Sequence, residues 1–111
     1  MADPRELVQE GAEERPSERN PLWPLEMLKA EAAWQQGLHG TGIVVGILDS
    51  GASRQHEQLR DNYRGGDSSW FDPLGSSAEP SDVQLGHGTA VLACAVGQQF
   101  NGVSGVAPGA K

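Results

Sequence analysis

The chain has 111 residues, with 15 acidic side chains, 8 basic side chains and 1 cysteine, and it carries a formal net charge of −7. Its length allows one small domain, its charge disfavours binding to the phosphates of nucleic acid, and a lone cysteine excludes an internal disulfide. No run approaches the roughly 18 apolar residues that a membrane span requires. We therefore expect neither a nucleic-acid partner nor a membrane partner.

Residues 1–20 form an acidic leader with few apolar side chains, interrupted by Pro4 and Pro16. We predict that this leader is disordered, because it has little apolar surface to offset the entropy lost on ordering. A solvated helix on the surface of the folded part is the alternative. The leader lacks the basic start and the apolar stretch of a secretory signal. Either the protein stays inside the cell or its natural start lies upstream, and its location is left open.

Three patterns between residues 22 and 79 predict local structure. Residues 22–34 carry apolar side chains at mostly helical spacings, and Gly37 follows as a stop, which predicts one or two short helical turns. Residues 43–48 are a continuous apolar run rich in β-branched side chains, typical of a strand buried on both faces of a parallel sheet. Residues 54–79 are polar and rich in turn formers, so we predict a surface excursion with at most one short strand.

Asp49 directly follows the predicted strand, and Ser50 and Gly51 allow a sharp turn after it. In an open parallel sheet, ligands bind beyond the carboxyl ends of the strands. The Asp49 carboxylate is therefore a candidate site residue, for which an imidazole N–H is a fitting partner. The alternative is that Asp49 only caps the next turn, since Asp-Ser-Gly is common turn chemistry.

His87 precedes a second apolar run, residues 90–96, which is apolar on every side and ends at Gly97. This pattern predicts a helix buried in a larger protein, with His87 at its start. The positive end of the helix dipole disfavours an imidazolium, so we expect the ring to stay available as a base. A single His at a helix start is more often structural, and only the combination with Asp49 indicates catalysis.

Three segments, in this order, resemble the sequence blocks of the subtilisin-like serine proteases. The first is the apolar run that ends in Asp-Ser-Gly, residues 43–51. The second is residues 86–93, which begin with Gly-His-Gly-Thr, and the third is Gly-Val-Ala-Pro at residues 105–108. Residues 62–66 and 69–72 are similar to the bacillopeptidase F branch of the family.

This resemblance implies an α/β fold, the three-layer subtilisin-like fold with a parallel sheet, of which residues 21–111 would supply the N-terminal portion. It also implies a serine-type endopeptidase that acts on a polypeptide substrate. In that role Asp49 would orient and support His87. His87 would take the proton of an attacking serine and return it to the leaving amine.

The nucleophile that this chemistry needs is not recognisable in the 111 residues. In the family it lies after the His, in a Gly-Thr-Ser-Met-Ala-like segment, and an Asn that forms the oxyanion hole lies between them. Neither segment is present in this sequence. Ser104 lies in the segment most similar to that of the nucleophilic serine, but we interpret it as part of a loop. We therefore expect this chain alone to be inactive, and a complementing C-terminal chain is a candidate partner.

No cofactor is expected. Calcium binds to several members of the family, but its usual Asp ligand is Gln58 here, so the calcium site is not carried over. Asp72 and Asp82 lack the Asp-x-Asp spacing of a hard-cation site and are interpreted as part of a solvated acidic loop. The three His residues and Cys94 have no recognised zinc spacing.

Two further hypotheses stand beside that of a protease fragment. The chain can be a non-catalytic truncated homologue that acts as an interaction or regulatory protein, through residues 43–48 or through the acidic leader. It can also assemble with a separate chain that carries the serine, and would then be active only in the mixture. A doubly buried strand and an all-round apolar helix both need cover, which weighs against a stable monomer as an interaction protein.

Overall fold

A computed structural model describes residues 22–83 and 85–111. These residues form three helices, α1 (Trp23–Met27), α2 (Ala30–Gln35) and α3 (His87–Val96), joined by turns and loops. The leader that we predict to be disordered, residues 1–20, lies outside the described residues. Within the described ranges, no helix is both long enough and apolar enough to cross a membrane.

The helical turns predicted for residues 22–34 are confirmed as α1 and α2. The stop predicted at Gly37 is also confirmed. Gly37 has a left-handed φ of 79°, and its N–H donates to Trp34 O at 2.8 Å. The N–H of Leu38 donates to Ala33 O at 3.1 Å. This pair of bonds is the Schellman pattern, which uses a left-handed glycine to satisfy the last carbonyl groups of a helix.

The predicted α/β fold with a parallel sheet is wrong for the described residues, which contain no β-strand. Residues 43–48, which we call the apolar segment, have no regular structure, and Leu48 is fully exposed. Within the described chain, the long-range backbone bonds of this segment both involve Lys111. Lys111 N–H donates to Ile43 O at 2.9 Å, and Val45 N–H donates to Lys111 O at 2.7 Å. A strand needs a ladder of such bonds along a neighbouring segment, and one residue cannot provide it.

The helix predicted around residues 90–96 is confirmed as α3, which begins at His87 and is followed by Gly97 as its C-terminal cap. Within this chain the helix is buried on one side only, and its burial in a larger protein stays a prediction. Val96 is 4% exposed, whereas Val91 is 38% exposed. One side of the helix therefore packs against the protein while another side stays open to solvent.

A small core lies against the C-terminal half of α3. Leu59, Val96 and Ala110 are at most 5% exposed. Partly buried side chains pack around them: Val45, Leu92, Ala93, Ala95 and Ala107. Asn62 is also buried, and its Nδ2 donates to Val96 O at 2.6 Å and to Pro108 O at 2.9 Å. This amide joins the loop after residue 59 both to the end of α3 and to the last loop of the chain.

Residues 54–79 run in turns and bends with no strand among them. They form the predicted surface excursion only in part, since Leu59 and Asn62 are buried. Its two ends lie close together, since Arg54 Nη1 and Glu79 Oε2 are 3.1 Å apart. Just outside these ends, the N–H of Ala52 donates to Ser81 O at 3.2 Å. The exposed ion pair itself contributes little to stability. The excursion therefore returns the chain to the turn that follows Asp49, immediately before α3 begins.

Candidate active site

Asp49 and His87 lie side by side in the folded chain. His87 Nδ1 is 2.9 Å from Asp49 Oδ1 and 3.1 Å from Asp49 Oδ2. Asp49 Oδ1 also accepts the N–H of Ser50, at 2.6 Å. An ionised carboxylate only accepts, so Nδ1 carries the shared proton and the neutral ring has a bare Nε2. The His87 side chain is 70% exposed and that of Asp49 only 17%, so the ring is open to a reacting group while the carboxylate is partly covered.

Two glycines let the turn after Asp49 approach α3. Gly51 has a φ of 137°, and a Cβ at this position would lie 2.0 Å from Ser81 O. A Cβ at Gly88 would lie 2.0 Å from Gly51 O. A side chain at either glycine would force two backbone segments apart. The glycines therefore permit the close backbone contacts that place Asp49 beside His87.

The pair shifts the pKa of both partners. The backbone N–H of Ser50, and after it the His87 ring, lower the pKa of Asp49 from its ordinary value of 3.8. The hydrogen bond and the charge of Asp49 raise the pKa of His87 above its ordinary value of 6.5, and the charge of Asp82 adds to this. The net shift is opposite to the one that the helix dipole alone would produce, because a carboxylate in contact outweighs the partial charge of a helix end.

The other candidate residues engage partners elsewhere. The Ser104 hydroxyl donates to Gly105 O at 2.8 Å, in line with its interpretation as part of a loop. Gln58 Nε2 donates to Gln98 O and to Val103 O, both at 3.2 Å. In this structure the Gln58 amide thus occupies two carbonyl oxygens with N–H donors, and the absence of a calcium site stays a prediction. In the part of the chain that the structure describes, no three His, Cys, Asp or Glu side chains are grouped to hold a metal ion.

Asp82 is a residue of this site that sequence reasoning missed. We expected it in a solvated acidic loop, but its carboxylate accepts hydrogen bonds from Ser50, Gly86 and Thr89. Partial burial acts to raise the pKa of Asp82, but these bonds, led by those from Thr89, keep it below the ordinary value of 3.8. The available signal was position, since acidic residues are favoured beside the first turn of a helix.

Residues 40–111 match the subtilase family. The chain belongs to the subtilase family. The matched range includes Asp49 and His87, and the match confirms the resemblance to the subtilisin-like serine proteases. At the level of the family, this subtilase chain has the sequence of a subtilisin-type serine protease.

Three relatives of this subtilase place it within the family. It is 37% identical to bacillopeptidase F of Bacillus subtilis over 101 residues, 80% of this chain and 7% of that protein. It is 34% identical to the major intracellular serine protease of Bacillus subtilis over 88 residues, 78% of this chain and 27% of that protein. It is 38% identical to human furin over 82 residues, 71% of this chain and 10% of furin. The chain thus spans between 7% and 27% of the length of these relatives. No solved structure matches it.

Proposed function

We propose that Asp49 and His87 are the acid and base members of the catalytic triad of a serine endopeptidase, and that this chain is the N-terminal part of its peptidase domain. The observation that carries the proposal is the hydrogen bond between His87 Nδ1 and Asp49 Oδ1, at 2.9 Å. It joins residues from two separate family blocks and leaves Nε2 of an exposed ring free to accept a proton.

In this function His87 takes a proton from a serine hydroxyl as the serine oxygen attacks a peptide carbonyl carbon. The Asp49 carboxylate stabilises the imidazolium that forms, which is the state that its hydrogen bond and charge already favour by raising the pKa of His87. The imidazolium then returns the proton to the leaving amine. The serine and the oxyanion-hole donors come from sequence other than these 111 residues.

The magnitudes known for subtilisin, a member of the family, indicate how much activity this chain has alone. Removing the nucleophilic serine lowers the kcat of subtilisin by about 2 × 10⁶-fold. Removing one donor of the oxyanion hole lowers kcat by about 10²–10³-fold. A chain that supplies neither is expected to give no measurable peptide hydrolysis, even with the Asp49–His87 pair intact.

The decisive experiment begins with the nucleotide sequence beyond codon 111 of the source locus. If the frame continues to an oxyanion Asn and a Gly-Thr-Ser segment, the complete protein is expressed and treated with a fluorophosphonate, which labels an activated serine. Labelling and peptide hydrolysis are expected in the complete protein, and both are expected to disappear in His87→Ala. A stop immediately after codon 111, or full activity of His87→Ala, would refute the proposal.

The exposure of the apolar segment favours a second candidate function, that of an interaction protein. Ile43, Val44 and Leu48 are 58%, 55% and 101% exposed, which is typical of a surface that another polypeptide covers. The partner in this case is a separate C-terminal chain of a peptidase domain that carries the serine. Mixing the two chains would then restore hydrolysis, and replacing Leu48 by Ser would weaken their association without adding a charge beside Asp49.

A further inference from the structure

The carboxylate of Asp82 uses both of its oxygens. Oδ1 accepts the Ser50 hydroxyl at 2.9 Å and the N–H of Gly86 at 3.2 Å. Oδ2 accepts the N–H of Thr89 at 2.8 Å and the Thr89 hydroxyl at 2.7 Å. The side chain therefore connects the turn after Asp49 with the first turn of α3.

Two partners of Asp82 extend this connection. The Ser50 oxygen accepts the N–H of Gly88 at 3.0 Å. The Thr89 oxygen accepts the N–H of Ser53 at 2.9 Å. Two hydrogen-bonded paths thus run from Asp82 across the contact between the two backbone segments. We call Ser50, Asp82, Gly88 and Thr89 the polar junction.

The polar junction caps the N-terminus of α3, which has no capping side chain of its own. The N-cap of α3 is Gly86, which has no side chain to accept the N–H groups of the first turn. Ser50 accepts the N–H of Gly88 and Asp82 accepts that of Thr89. The negative charge of Asp82 also suits the positive end of the helix. The start of α3 is therefore capped by two residues from outside the helix.

We propose that Asp82 is a positioning residue for the Asp49–His87 pair. Ser50 directly follows Asp49 in the sequence, and Gly88 directly follows His87. The polar junction thus binds each member of the pair through the next residue along the chain. It sets the distance at which the His87 ring meets the carboxylate of Asp49. The importance of this role for catalysis rests on the proposed function, whereas the geometry itself is measurable in this chain.

The proposal is tested by Asp82→Asn in the 111-residue chain, with ¹⁵N NMR of the His87 ring as the readout. In the wild type, above the pKa of His87, the proton is expected on Nδ1 and Nε2 is expected to be bare. An Asn side chain replaces one accepting oxygen by an NH₂ group, so it cannot accept the N–H of Gly86 on one side and that of Thr89 on the other. We expect Asp82→Asn to lose the Nδ1–H tautomer in favour of Nε2–H, and the pKa of His87 to fall toward 6.5.

Asp72→Asn is the matched control. The Asp72 carboxylate also accepts several hydrogen bonds, but all of them come from residues 74–77, next to it in the chain. Asp72→Asn is expected to leave the His87 tautomer unchanged. Ser50→Ala separates geometry from charge, because it removes one path of the polar junction and keeps the charge of Asp82. It is expected to shift the tautomer in the same direction as Asp82→Asn, by a smaller amount.

The outcomes separate this inference from the proposed function. If Asp82→Asn keeps the wild-type tautomer and pKa of His87, the positioning role is refuted while the pair stands. If the wild-type ring itself carries its proton on Nε2, the pair does not form, and the proposed function fails with it. If Asp82→Asn unfolds, as shown by the indole signals of Trp34 and Trp70, Ser50→Ala decides, and a wild-type tautomer there overturns the proposal.

Activity provides a second readout if the complete protein hydrolyses peptides. A misaligned base slows the chemical step more than it weakens substrate binding. Asp82→Asn is then expected to lower kcat by about 10²-fold with little change in KM, whereas Asp72→Asn is expected to change neither. A rise in KM at constant kcat would place Asp82 in substrate binding and contradict a positioning role.

Discussion

The polar junction and the apolar segment differ in how completely the described residues satisfy them, although Ser50 of the junction lies only two residues after Leu48. Every member of the polar junction has hydrogen-bond partners between 2.7 and 3.2 Å. In the apolar segment, Leu48 is fully exposed and Ile43 is 58% exposed. Within the described residues, the polar groups of the junction have their hydrogen-bond partners, whereas the apolar side chains of the segment are not buried.

The two regions differ because a polar group and an apolar side chain need different numbers of neighbours. A carboxylate or a backbone N–H needs only one or two partners, each at hydrogen-bond distance. An apolar side chain needs neighbours on all sides before it leaves water, typically six or more residues. A small part of a domain can therefore order its polar contacts before it can bury its apolar surface. The hydrogen bond between Asp49 and His87 is one of these polar contacts, and it forms although the apolar segment stays exposed.

The largest expected effect comes from breaking the pair that the polar junction supports. Asp49→Asn removes the charge that holds the His87 ring in its tautomer. In the complete protein we expect kcat to fall by about 10⁴-fold, as in serine proteases generally. Steady-state peptide hydrolysis measures the loss, with Asp61→Asn as a control on an exposed acid. Equal losses in the two variants would contradict the assignment of Asp49.

Two leucines provide the next comparison, one in the core and one in the apolar segment. Leu59 is 5% exposed and Leu48 is 101% exposed. We expect Leu59→Ala to lower the free energy of unfolding by about 2–5 kcal/mol, because it leaves a cavity in the core. Leu48→Ala is expected to change it by less than about 0.5 kcal/mol. Urea unfolding followed by near-UV circular dichroism measures both, and a comparable loss in Leu48→Ala would show that the apolar segment is covered.

A glycine next to Ser50 of the polar junction and a glycine in the apolar segment are expected to respond differently to an added side chain. A Cβ at Gly51 would meet Ser81 O at 2.0 Å, whereas a Cβ at Gly46, in the apolar segment, has nothing within 4 Å. We expect Gly51→Ala to destabilise the chain by about 1–3 kcal/mol and to separate Asp49 from His87. Gly46→Ala is expected to be close to neutral. Urea unfolding and the His87 tautomer are the measurements, and an unchanged tautomer in Gly51→Ala would contradict the role of the close backbone contact.

The smallest expected effect is the dependence of stability on pH. The pKa of His87 is raised above 6.5, so its contribution is fully present below 6.5 and is lost as the pH rises through the raised pKa. The pKa of Asp49 is lowered below 3.8, so its contribution is present above 3.8 and is lost as the pH falls through the lowered pKa. The pair therefore stabilises most between these ordinary values.

Unfolding free energies at about pH 5 and about pH 9 test this dependence. We expect the wild type to have the larger unfolding free energy at the lower pH. We expect this difference between the two pH values to disappear in Asp49→Asn. His39→Ala serves as a control, since this ring stacks on Trp34 rather than pairing with a carboxylate. A pH dependence that persists in Asp49→Asn would assign it to other groups.

Some of these features could be predicted from local sequence and others could not. Gly37 and Gly97 end α2 and α3 as predicted, because a helix end depends on backbone conformations of adjacent residues. Asp49 and His87 could be singled out because each lies in a block whose glycines and small residues are themselves informative. The position of Asp82 before a helix start could suggest a cap, but its connection with Ser50, 32 positions away, could not be predicted, because only their distance in space reveals it.

The sequence by itself determined the family, the helical segments and the two residues proposed for catalysis, because these depend on residue type and on short-range order along the chain. The tertiary structure decided the exposure of the apolar segment, the direction of the His87 pKa shift and the connections of Asp82. Burial, charge–charge interaction and hydrogen bonding all depend on distance through space. For residues far apart in the chain, only the fold sets that distance.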